Sequence, residues 1–190
     1  MAMASDSNIS QNNVLRRGKM DFSKLKEVKD MYNAMIGFFD ALEKQGAYQS
    51  PVKNVPLSGI MMVDLSSFML YMSASDGSID SAEVDVFRYI TDMNVNGKDM
   101  VGIIKNSNIY STEFESRVPA TMQIAVDSGI NFNDKGNKIP LAVVLFEFYK
   151  MLGAAMVAAN NEIDKNEKRD FGIYLTTLAN YLAKHGYRVS

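Results

Sequence analysis

The residues of this chain with the clearest chemical potential form a short acidic segment. Asp76, Asp80 and Glu83 stand in the pattern D-G-x-I-D-x-x-E. Calcium and magnesium ions bind through several carboxylate and carbonyl oxygens that converge on one point. The spacing therefore suggests a shallow site for Ca²⁺ or another divalent cation, built from these three carboxylates.

The pattern matches only part of an EF-hand, the common calcium-binding loop. Gly77 and Glu83 fit the places of its invariant glycine and its last ligand. The first and third ligand positions, however, would be Met72 and Ala74, which offer no side-chain oxygen. The sequence therefore does not predict a working EF-hand.

The same residues also fit a structural role. Gly77 suits the left-handed residue that closes a helix. Asp80 suits the N-cap of the next helix, and Glu83, three residues on, completes a capping box. The stretch 64–99 nevertheless contains seven acidic and two basic residues, more acid than capping requires. Because neighbouring carboxylates attract cations, the ligand and the capping interpretations both stay open.

The acidic segment occurs twice. Residues 74–83 (ASDGSIDSAE) recur 84 positions later as residues 158–167 (AANNEIDKNE). We interpret this as a duplicated helix pair, with residues 55–90 and 139–174 as the two copies. A pseudo-twofold axis would bring both acidic turns to one surface. In the second copy Asp164 and Glu167 stand at the same positions as Asp80 and Glu83, as the predicted N-cap and capping-box glutamate of the following helix.

Each copy reads as helix, turn, helix. Pro56 and Pro140 favour helix starts, where the missing proline N–H costs nothing. The helices that follow, predicted at 57–75 and 141–159, are apolar on nearly all sides, which is typical of helices inside a bundle. The second contains Glu147 near its middle, so we do not expect a membrane span.

The sequence as a whole predicts an all-α fold: a single-domain bundle of about seven helices with an internally duplicated helix pair. Apolar residues recur every three or four positions from Phe22 to Leu42, and no stretch alternates long enough for a confident strand. Residues 1–20 are polar and lack the apolar run of a secretion signal. We expect them to be a disordered tail before a helical domain at 21–190.

Composition excludes most catalytic chemistry. The 190 residues contain no Cys and one His, which excludes thiolate sites and every motif that needs two imidazoles. A net charge of −2 argues against nucleic acid as a partner. We therefore expect a non-catalytic cytoplasmic protein. The alternatives are a metal-dependent enzyme that uses carboxylates alone and a purely structural helical scaffold.

Two apolar helices, each followed by a turn of the form A-x-D-G-x-I-D-x-x-E, resemble the TerB-like domain of bacterial tellurite-resistance proteins. The resemblance covers about residues 55–185, and the second turn departs from the pattern at Asn160 and Asn161. It implies an all-helical fold with internal pseudo-symmetry and a non-catalytic role in the response to tellurite, phage or envelope stress. The implied partners are other proteins of a stress-response complex. It also implies metal binding by clustered acids, which fall here on Asp76, Asp80, Glu83, Asp164 and Glu167.

Overall fold

The chain folds as a helical bundle in a computed structural model that describes residues 22–134, 136–159 and 165–189. Within those residues there are seven helices of nine residues or more, one helix of four residues and one two-stranded hairpin. In chain order they are α1 (Phe22–Lys44), α2 (Leu57–Ser73), α3 (Ser81–Thr91), α4 (Gly97–Asn106), α5 (Thr112–Glu115), α6 (Ala120–Ser128), β1 (Asn131–Asp134), β2 (Asn137–Pro140), α7 (Leu141–Val157) and α8 (Lys165–Lys184). The predicted all-α bundle is confirmed.

The predicted copies place helices at matching positions. Helices α2 and α7 both begin directly after a proline and both have 17 residues, so their bounds repeat 84 positions apart. Helices α3 and α8 also begin 84 positions apart, although α8 is the longer of the two. Both apolar helices end two residues before their predicted ends. Gene duplication itself stays a prediction.

The core is built around α2 and α7, the two helices that are apolar on nearly all sides. Twelve of the 17 residues of α2 are buried. The two helices pack against each other, and α1, α6 and α8 surround them. Aromatic rings fill the space between α2 and α8: Phe68 and Tyr174 stack with 4.8 Å between ring centroids. Burial of this apolar surface is the main stabilising term of the fold.

Helices α2, α6 and α7 each begin directly after a proline, and that proline has no side chain that could accept a hydrogen bond from the first turn. Groups distant in the chain accept these hydrogen bonds instead. The first N–H of α2, at Leu57, donates to Glu43 Oε2 at 3.0 Å. In α6 the backbone N–H and the hydroxyl of Thr121 both donate to Asp64 Oδ2 at 2.8 Å. Burial raises the pKa of Asp64, while these hydrogen bonds act to lower it. Asp64 is therefore a helix cap supplied by another helix.

The hairpin differs from the sequence prediction, which expected no confident strand anywhere in the chain. Strands β1 and β2 pair antiparallel with Phe132 opposite Ile139. These two half-buried side chains are the apolar positions of a short, mostly polar ribbon, and Phe132 contacts the ring of Phe38 in α1. Four residues a strand give too little alternation for the pattern to stand out in the sequence.

None of the helices in the described residues is both long enough and apolar enough to span a bilayer.

Candidate acidic-turn site

The first acidic turn, residues 74–80, joins two helices that run from the core to the surface. Helix α2 closes at Ala74, and the N–H of Gly77 donates to the carbonyl of Ala74 at 3.0 Å. Gly77 has a φ of 87°, a left-handed conformation that favours glycine. The predicted left-handed conformation is therefore present, but Gly77 lies four residues after Ser73, and Ala74, not Gly77, caps the helix.

Asp80 and Glu83 form the predicted capping box. Asp80 Oδ1 accepts hydrogen bonds from the backbone N–H groups of Ala82 at 2.6 Å and Glu83 at 2.9 Å. Glu83 Oε2 accepts in return from the N–H of Asp80 at 2.8 Å. Each carboxylate thus satisfies a backbone donor that α3 would otherwise leave unpaired.

Asp76 has a different environment. It is exposed, and its Oδ1 accepts from the N–H of Ser78 at 2.8 Å and from the Ser78 hydroxyl at 3.1 Å. This local turn fixes the carboxylate three residues beyond the end of α2 without burying it. Asp76 is therefore the acid of the turn with most access to solvent.

Glu83 has the most perturbed carboxyl of the turn. Only 2% of the residue is exposed, and burial raises its pKa to about 8. The hydrogen bond from Asp80 lowers this pKa, while the charges of Asp80, Asp76 and Glu167 raise it further. Near neutral pH the Glu83 carboxyl consequently retains a proton that an exposed glutamate would have lost.

Glu167 connects this turn to the second copy. It lies in the first turn of α8, is 2% exposed, and is close enough for its charge to act on Glu83. The glutamates at matching positions of the two motifs therefore meet at one end of the bundle. Asp164, the predicted cap of α8, lies outside the described residues.

The other acids of the stretch 64–99 mostly have structural partners. Asp92 pairs with Lys29 of α1 at 2.6 Å. Asp99 forms a capping box with Asn96 at the start of α4. Together with Asp64 and the acids of the turn, they show that helix ends account for most of the local excess of acid.

Four of the five predicted metal ligands, Asp76, Asp80, Glu83 and Glu167, lie within the described residues. Among the residues that the structure describes, no group of three or more Asp, Glu or His side chains is placed to hold a metal ion. The capping box directs Asp80 and Glu83 toward backbone N–H groups. The metal site therefore stays a prediction, and Asp164 is its undescribed member.

A second polar cluster beside the turn was not predicted. Asp170 of α8 is fully buried and accepts from the Tyr110 hydroxyl at 3.1 Å. The guanidinium of Arg169 pairs with it at 2.8 Å, and the Tyr110 hydroxyl also lies 3.3 Å from the carbonyl of Ser75. The sequence did contain one signal for this cluster: Asp170 is an acidic residue four positions before Tyr174, on the same buried side of the predicted helix.

Comparison with family models, with curated proteins and with solved structures finds no match to this chain.

Proposed function

We propose that this chain is a non-catalytic binding module of the TerB-like kind, acting in the bacterial cytoplasm in the response to tellurite, phage or envelope stress. Its binding surface, on this proposal, is the end of the bundle where the first acidic turn lies near Glu167. The ligand is a partner protein of a stress-response complex. The family rests on the resemblance of residues 74–83.

The observation that carries the proposal is the electrostatic contact between Glu83 and Glu167. The two residues are 84 positions apart, yet each is buried and the charge of one raises the pKa of the other. The proximity of these two glutamates supports one binding surface at this end of the bundle rather than two separate ones. A paired surface of this kind is what the resemblance implies.

The caps give this surface its rigidity. Because Asp80 and Glu83 are bonded to the start of α3, the turn between the helices has little freedom to rearrange. Asp76 is held in place by Ser78 and projects its charge to solvent. A fixed, exposed carboxylate above buried carboxyls favours a partner with basic side chains.

A divalent cation is a second candidate ligand for the same surface. The repulsion that raises the pKa of Glu83 would be relieved by a bound cation. Such binding requires oxygen ligands beyond the described residues, with Asp164 as the predicted one. It would also release the proton that Glu83 holds near neutral pH.

Site-specific crosslinking tests the partner-protein proposal. Since the chain has no Cys, Ser78→Cys creates one attachment point for a photocrosslinker at the acidic turn. Gln49→Cys is the matched control, because it is exposed and precedes the opposite end of α2, about 25 Å away for a 17-residue helix. In the native host we expect one discrete crosslinked protein from position 78 and none from position 49. The same products from both positions, or none from position 78, would contradict the proposal.

Calcium titration tests the cation. We expect millimolar Ca²⁺ to shift the amide signals of residues 76–83 in the NMR spectrum, and Asp76→Asn to weaken that response. Asparagine can still accept the bonds from Ser78, so the turn is kept while the charge is lost. The control is Asp85→Asn, an acid of α3 that takes no part in the turn. Unmoved amides and flat calorimetric heats would remove the cation from the proposal and leave the protein partner.

A further inference from the structure

A groove lies beside the first acidic turn, between that turn and the segment from α4 to Tyr110. Its volume is about 440 Å³, within the size range of small-molecule sites. Its apolar lining includes Ile79 from the turn and Val101 and Ile104 from α4. Val101 and Tyr110 are each more than one third exposed, so an apolar surface faces the opening.

The Tyr110 wall of the groove is fixed by the cluster behind it. The hydroxyl of Tyr110 is bonded to buried Asp170, and Arg169 neutralises that carboxylate from the other side. The ring also contacts Tyr71 of α2, with 5.8 Å between centroids. Because these contacts anchor the ring, a ligand would meet a wall that is already in place, which lowers the cost of binding.

The charge of the side chains that line the groove indicates which kind of ligand it would bind. Among the described residues, Lys105 is the one charged side chain that lines the groove, with the amide of Asn108 close by in sequence. No acid in the described part of the chain forms an ion pair with Lys105. Asp76, the exposed acid of the neighbouring turn, accepts two bonds from Ser78 and does not line the groove. The charge facing into the groove is therefore positive.

We infer that this groove binds a small apolar molecule that carries one carboxylate, with its body between Val101 and Tyr110 and its carboxylate at Lys105. One lysine suits a single negative charge, whereas a phosphate calls for a larger set of donors. The inference does not depend on the proposed function, because neither the paired glutamates nor a partner protein takes part in it.

The test uses 3-phenylpropionate, followed by methyl and amide NMR of the full chain. We expect saturable shifts at Val101, Ile104 and Lys105. Acetate, which has the charge without the apolar body, and 3-phenylpropan-1-amine, which has the body with the opposite charge, should both bind more weakly. Absence of saturable shifts, or equal binding of the amine, would overturn the inference.

Two pairs of variants locate the site. Lys105→Met keeps the aliphatic stem and should weaken 3-phenylpropionate binding about two- to fivefold, the range for one exposed ion pair. Lys98→Met, on the same helix but outside the groove, should leave binding unchanged. Val101→Trp should block the groove, while Ile103→Trp, an equally exposed position of α4 outside it, should not. A Lys105→Met or folded Val101→Trp protein that binds like the wild type would also overturn the inference.

Discussion

The two helix pairs, α2–α3 and α7–α8, place similar backbones around different side chains. Their glutamates, Glu83 and Glu167, are equally buried. Three positions further on, however, the first pair buries Val86 and the second buries Asp170. The first is an ordinary apolar core position, whereas the second needs Tyr110 and a neighbouring arginine as partners.

The same contrast holds where the two helices of each pair meet. At matching positions α2 has Met69, which is fully buried, and α7 has Gly153. A Cβ on Gly153 would overlap the ring of Phe171 in α8. At this position the first pair buries a methionine side chain, whereas in the second the ring of Phe171 takes the space beside the glycine. Residues at matching positions of the two pairs are therefore not interchangeable. Substitutions at these positions should lower the free energy of unfolding by different amounts in the two pairs.

The largest effect is expected from Met69→Gly, which gives the first pair the small residue of the second. Removing a buried methionine side chain costs about 2–5 kcal/mol, and glycine in a helix costs about 1 kcal/mol more. We expect the free energy of unfolding, measured by urea denaturation, to fall accordingly. Met69→Ala separates the lost packing from the helix propensity. If Met69→Gly left the free energy of unfolding nearly unchanged, the ring of Phe87 would have to fill the vacated space, as the ring of Phe171 does beside Gly153.

Gly153→Ala should have a smaller effect. Overpacking against Phe171 costs about 1–3 kcal/mol, and the better helix propensity of alanine offsets at most about 1 kcal/mol. Gly37→Ala in α1 is the control, since a Cβ there meets nothing within 4 Å and only the propensity changes. Urea denaturation should show Gly153→Ala less stable than Gly37→Ala. Equal stabilities would contradict the tight contact.

The pH dependence of stability distinguishes buried Glu83 from an ordinary cap. Its pKa is about 8 in the folded protein against an ordinary value of 4.5, so the folded state holds a proton that the unfolded state has lost. Stability should therefore fall as the pH rises from about 4.5 to about 8, by up to about 1.4 kcal/mol per pH unit. Glu83→Gln keeps the capping acceptor and should remove this slope, as seen by denaturation at several pH values. Asp85→Asn should retain it.

Much of the fold could be predicted because its signals are local. Pro56 and Pro140 mark the starts of α2 and α7, and the spacing of Asp80 and Glu83 gives the capping box. These features depend on residues a few positions apart, where backbone geometry fixes which groups can meet.

The features that escaped prediction depend on residues distant in the chain. Asp64 was counted as part of an acidic excess because its partner, Thr121, is 57 positions away. Asp170 is not among the predicted site residues, because the hydroxyl that donates to it belongs to Tyr110, a residue of another segment. Spacing along a helix indicates which residues share a face, but it does not indicate which distant donor will satisfy a buried acid.

The central claim, that Glu83 and Glu167 lie close together, can be measured directly at the Glu83 carboxyl. Carbon-detected NMR would follow its titration in the wild type and in Glu167→Gln, which removes one charge and keeps the amide as a capping acceptor. We expect a pKa of about 8 in the wild type and a lower pKa in Glu167→Gln. A Glu83 pKa near 4.5 that does not change in Glu167→Gln would contradict the claim.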